Sequence, residues 1–184
     1  MPGGGKGAEW FDDRQPPCSF VGRMLVGRVG STLALTLMSD ASANSDEYRS
    51  GGCQCGHTRY RAPRKPLALY ICHCTECQRQ SSSAFGLSFI IRRDAFTVVQ
   101  GHPASWTRQT ASGHTLECAF CRSCGSRVWH QSSGYPETLN VKAGSLDEPV
   151  DLTNAVHIWT LSKLPGVVIP DSALCYPKEP GGLY

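Results

Sequence analysis

Hydrophobic and polar residues alternate in short runs along most of this chain, and no stretch keeps a helical period for long. The clearest alternation covers 84–91, where Phe85, Leu87, Phe89 and Ile91 fall on one side of an extended backbone. Shorter runs at 58–62, 67–72, 96–99, 128–131, 138–143 and 155–160 read as further strands. The segments 104–110 and 115–120 read as a pair joined around Ser112-Gly113, and 147–151 as a loop. One short polar run, 75–81, suits one or two helical turns with Thr75 as N-cap. The chemistry of turns marks the breaks: Arg92-Arg93-Asp94, Gly101-His102-Pro103, and a tail from Lys163 with four prolines that should wrap the surface. The pattern predicts a mainly β fold of short strands.

Composition agrees with the pattern. Gly and Pro together number 31 of 184 residues, and charged residues are 18%. That favours many turns over long helices. Residues 1–47 are rich in Gly, Pro, Ser and Asp and carry no sustained period, so they are expected to be disordered or peripheral. An upstream start ahead of Met38 would account for most of them. A mitochondrial presequence fits Arg23 and Arg28 but not Glu9, Asp12 and Asp13. The apolar run 24–38 is interrupted by Arg28 and is too short to span a bilayer. The ordered domain is expected over 48–170, with 171–184 as a C-terminal tail.

The cysteines change the picture most. Seven of the ten lie in three tight groups within 72 residues: Cys53/Cys55, Cys72/Cys74/Cys77 and Cys121/Cys124. Members of C-x-C and C-x-x-C pairs are poorly placed to bridge each other and well placed to reach one metal. A reducing, cytoplasmic setting keeps such thiols free. Zinc takes four soft ligands in a structural site, or three plus an exchangeable position in a catalytic one. Seven thiols divide as four and three. Cys53, Cys55, Cys121 and Cys124 would close one zinc and clip together a loop of 65 residues. Gly125 is placed to take positive φ and turn the second knuckle. Core thiols or a redox C-x-x-C are the bland alternatives. Cys72, Cys74 and Cys77 would hold a second, open zinc. A fourth protein ligand (Cys118, His73, His130 or His157) would make it a closed structural site instead.

The remaining chemistry-bearing residues are less pointed. His73 lies between two ligands and should face away from their metal. His130 and His157 fall on strands beside Trp129 and Trp159, as core histidines commonly do. His57, His102 and His114 belong to turns. Arg79, Arg92, Arg93 and Arg127 can pair with an acidic substrate, although a solvated face accounts for such arginines equally. From Tyr48 onward the formal charge is +5, from 14 Lys and Arg against 9 Asp and Glu. Two thiolate-bound zincs would bring it to about +2. With no large basic cluster, this argues against a nucleic-acid partner.

Five segments in order, G-G-C-Q-C-G-x-x-x-Y, C-H-C-T-E-C-Q-R-Q-S, F-C-R-S-C-G-S-R, A-G-S-L-D-E-P and H-I-W-T-x-S-K-L-P, give the chain a family likeness. Over 48–170 it resembles the glutathione-dependent formaldehyde-activating enzymes, which include centromere-protein-V-like proteins. The resemblance implies an Mss4-like fold of short antiparallel strands with zinc knuckles. It implies a structural zinc on Cys53, Cys55, Cys121 and Cys124, and a catalytic zinc on Cys72, Cys74 and Cys77. It also implies a carbon–sulfur lyase reaction joining formaldehyde to glutathione. Ser82 stands where relatives often carry Gly. Three functions compete: an enzyme acting on a small-molecule thiol, a non-catalytic zinc-binding scaffold, and a zinc store or redox sensor whose thiols release metal on oxidation.

Overall fold

A computed structural model describes residues 47–180. The expectations for the N-terminal extension, including the start at Met38, lie outside the described residues. Ten strands form two sheets. The smaller has order β1-β2-β5 and the larger β10-β3-β4-β9-β8-β7-β6. The strands are β1 Tyr48–Gly52, β2 Arg59–Pro63, β3 Ala68–Cys72, β4 Gly86–Arg92 and β5 Thr97–Gln100, then β6 Ala104–Gln109, β7 Thr115–Phe120, β8 Arg127–Ser132, β9 Thr138–Lys142 and β10 Val156–Ile158. Every pairing is antiparallel except β10 with β3, which is parallel.

β4 and β9 lie deep in the larger sheet, and β4 is covered on both faces, which explains its nearly continuous apolar sequence. Phe89 and Ile91 join the main core with Tyr60 and Ala62 of β2, Phe96, Val128, Leu139 and Val141. Ile90 points the other way, into a second cluster with Tyr70, Cys72 and Ile158. Phe96 centres an aromatic group, 5.1 Å from Tyr60 and 4.8 Å from Trp129 between ring centroids. The two sheets therefore meet over one core, and the triad side of the larger sheet is built on the other.

One strand was not foreseen, and two local expectations need correction. Tyr48–Gly52 forms a strand although its sequence has no apolar alternation; its pairing with β2, from Tyr48 opposite Pro63 to Gly52 opposite Arg59, imposes the extended form. The helix over 75–81 is present as α1, Thr75–Ser81, but its N-cap is Cys74 and not Thr75. The Cys74 sulfur accepts the Cys77 N–H at 3.3 Å, which places the cap one residue earlier. The last strand ends at Ile158 because Trp159 takes the left-handed conformation, φ 58°. This turn directs Thr160 N–H to the Tyr176 carbonyl at 3.1 Å, so the tail at 174–178 runs beside β10.

Candidate metal centre

The two outer cysteine knuckles converge. Cys53 and Cys55 lie in the β1–β2 turn, and Cys121 and Cys124 in the β7–β8 turn. Their four sulfurs lie within 4.8 Å of one another. Sγ–Sγ distances of 3.5 Å (Cys53–Cys55) and 3.7 Å (Cys55–Cys121) are close to the edge of a zinc–thiolate tetrahedron, about 3.8 Å for bonds of about 2.3 Å. Gly125 has φ 73°, and its N–H reaches the Cys121 carbonyl at 2.9 Å, closing the second knuckle. Gln54 N–H donates to the Ser126 hydroxyl at 3.2 Å and ties one knuckle to the other.

Backbone and hydroxyl donors prepare these thiols for negative charge. Burial opposes ionisation of Cys53, yet the Thr58 N–H and the neighbouring Cys121 and Cys55 thiols outweigh it and lower its pKa. The Ser126 hydroxyl, followed by the Ser126 N–H, draws Cys124 down to about 5. Cys55 moves the other way, to about 12. The His57 N–H favours its thiolate, but burial and the charge held by Cys124 and Cys53 prevail. Four thiols this close ionise together only around a cation. The donor set fits zinc.

The central group is built on one strand end and one helix start. Cys72 closes β3, Cys74 caps α1 and Cys77 sits in its first turn, and the three sulfurs also lie within 4.8 Å of one another. Gly86, opposite Cys72 on β4, lets the helix approach; a Cβ there would lie 3.1 Å from the Cys77 Cβ. Hydrogen bonds from the Cys72 and Cys77 thiols hold Cys74 down to about 2, helped by the Cys77 and Glu76 N–H groups. The Cys74 thiolate and burial then push Cys72 up. Cys77 rises to about 11, because Cys74 and burial outweigh the Cys72 thiol. One charge is thus shared among three sulfurs, and a divalent cation is what allows the other two to ionise. The trio fits such an ion.

Among the described residues, none of Cys118, His73, His130 and His157 joins the trio. Cys118 is fully buried in β7, opposite His130 on β8. His73 turns away from the sulfurs, and its Nε2 lies 3.0 Å from His157 Nδ1. The rings stack at 5.2 Å, with Phe85 edge-on to His73. Burial keeps both imidazoles below their ordinary pKa, His73 at about 4. Of the four arginines considered, Arg79 pairs with Glu76 and Arg92 with Asp94 on the surface. Arg127 instead lines a cleft.

That cleft has a volume of about 770 Å³. Its lining includes Cys77 and Gly86 from the trio side, Cys53 and Cys124 from the outer knuckles, and Gln80, Arg127 and Lys142. Lys142 is half-buried, and desolvation lowers its pKa against the opposing pull of Cys77. Sequence reasoning missed two members of the centre. Lys142 gave no sign beyond its place before the A-G-S motif. Gln78 did: it follows Cys77 directly, one turn after Cys74. Its amide donates to the His73 carbonyl at 2.7 Å and the Ser162 carbonyl at 2.8 Å, locking the helix to the sheet and to the turn after β10.

Residues 48–162 match the family model described as glutathione-dependent formaldehyde-activating enzyme. The chain belongs to this family. The mainly β, Mss4-like architecture with two cysteine groups agrees with that membership. No curated protein matches the chain. A crystal structure of a Rhodobacter sphaeroides protein, a structural-genomics target, is 26% identical to it. The alignment covers 59% of this chain and 98% of that one, with a TM-score of 0.47. No helix among the described residues is long and apolar enough to cross a membrane.

Proposed function

We propose that this family member is a zinc-dependent enzyme of the carbon–sulfur lyase type, acting on the adduct of a small aldehyde with glutathione or a similar thiol. The observation that carries the reading is the unequal pair of sulfur groups: four thiols converge from two knuckles, and three converge beside an open cleft. In this reading Cys53, Cys55, Cys121 and Cys124 hold a structural zinc. Cys72, Cys74 and Cys77 hold a catalytic one, giving two per chain within a unit spanning 48–170. Zinc at the trio supplies Lewis acidity and stabilises a substrate thiolate near neutral pH. The chain's own residues position and shield the reactants. Cys74 fixes the helix start, Gln78 fixes the helix to its neighbours, and Phe85 and Gly86 shape the cleft wall beside Cys77. A reducing, cytoplasmic setting suits the eight free thiols among the described residues.

Cobalt substitution tests the open site. Adding glutathione to the cobalt protein should shift the d–d absorption, and Cys74→Ser should abolish the shift while the four-thiolate signal stays. A bound thiol gives up its proton, so binding should release protons and strengthen as pH rises toward the free thiol pKa of roughly 8.5–9. A scaffold with two closed sites gives no spectral response at any glutathione concentration. A response without glutathione–formaldehyde turnover keeps the open site and moves the search to another thiol or electrophile.

A further inference from the structure

Arg127 and Gln80 line the cleft beside Cys77, and each has buried donor nitrogens with no protein acceptor among the described residues. Arg127 Nε and Nη2 are both buried and have no hydrogen-bond partner, oxygen or sulfur, among the described residues. These two nitrogens form the side-on edge of the guanidinium, the fork that donates to both oxygens of one carboxylate. Gln80 Nε2, on α1, is also buried without an acceptor among the described residues. The acidic group on the cleft wall, Asp147, is already taken by a two-point pair with Arg59, with Nη1–Oδ1 at 2.9 Å. Lys142 interacts favourably with the charge of the Cys77 and Cys72 thiolates. A guanidinium does not lose its proton in proteins, and leaving it buried and unpaired is costly. The cleft is also large enough for a ligand of tripeptide size.

We propose that Arg127, with Gln80, forms a carboxylate-binding subsite that selects thiol substrates bearing an anionic group and aligns them with the cysteine trio. This inference rests on the reading of the trio as a thiol site, and it adds a specificity determinant to it. The fork distinguishes an acid from its ester, because an ester offers neither the charge nor a second equivalent oxygen. Thiols without a carboxylate are poor ligands of the same cleft.

The test uses ligands without a free thiol, so its outcome does not depend on metal coordination. The zinc-loaded full chain is titrated calorimetrically with S-methylglutathione and with its diethyl ester. The free acid should bind at least about ten-fold more tightly than the diester. Arg127→Gln should reduce that preference to less than about two-fold while leaving diester affinity unchanged, and Arg127→Lys should restore it only in part. Gln80→Leu, on a different element, should weaken the acid alone and serves if the Arg127 variants fold poorly. No binding of the free acid, equal affinity for acid and ester in the unaltered protein, or a preference that survives both Arg127→Gln and Gln80→Leu overturns the proposal. A silent cobalt spectrum with glutathione, alongside an Arg127-dependent acid preference, would refute the open metal site and leave the subsite standing.

Discussion

Single residues set the local terms of this centre. Ser82 is the C-cap of α1 and holds φ 50°, with its N–H bonded to the Gln78 carbonyl. A residue with a Cβ is disfavoured there, which gives a physical reason for glycine in relatives. Ser82→Gly should raise stability by about 1 kcal/mol, read as a higher urea midpoint at unchanged slope. The histidines act in the opposite sense. Burial holds His130 well below its ordinary pKa, and Lys142, Arg127 and Arg108 reinforce the effect. His73 and His157 are lowered as well. For each, the unfolded chain binds the proton first as the medium turns acid. Their contribution is therefore complete above about pH 6.5 and declines as pH falls below that, toward the native value of about 4 for His73. If it folds, His130→Gln should show a shallower loss of melting temperature between pH 7 and 5 than the unaltered chain; an unchanged slope refutes this account.

At the scale of elements, most strands were legible because their apolar alternation matches a half-buried sheet. The paired strands β6 and β7 and the knuckle closed by Gly125 were also readable, since turn chemistry is local. β1 was not, because its partner β2 and not its own pattern makes it extended. The parallel pairing of β10 with β3 and the helix cap at Cys74 were hidden for related reasons: each depends on a contact made only after folding. The two cysteine groupings were readable from spacing alone, whereas Arg127, Gln80 and Lys142 meet in one cleft only through sheet order. Helix α1 illustrates the dependence on neighbours. At seven residues it is too short to persist alone, and Gln78 supplies two of its tertiary anchors. Gln78→Ala should cost about 1–3 kcal/mol by leaving two carbonyls without that donor. It should also speed zinc loss from the trio more than from the outer knuckles, measured by chelator competition.

Across the whole molecule, the two sulfur groups have different mechanical duties. The outer four join turns that are 65 residues apart in sequence, and their binding energy is folding energy. The trio spans six residues and closes no large loop. Purified protein should therefore contain about two zincs per chain, one released readily by a mild chelator and one retained. Cys124→Ser should lower the melting temperature by more than about 10 °C, and Cys77→Ser by no more than a few degrees. Equal losses, or one tightly held zinc unaffected by Cys72→Ser, would contradict this division.

The parallel strand β10 also gives the molecule an order of assembly. The outer knuckles have all their ligands once residue 124 has been synthesised. The trio's sulfurs emerge earlier still, but one strand beside Cys72 is 156–158, and one of the two carbonyls that secure Gln78 belongs to Ser162. On the ribosome the first metal to be enclosed is then the four-thiolate one, and the trio waits, with its cysteines exposed, for about 80 further residues. A nascent chain stalled before residue 155 would carry a finished clasp and an unfinished reactive centre. The hazards of synthesis, such as premature oxidation or capture of the wrong metal, fall on the same three thiols that are proposed to meet the substrate.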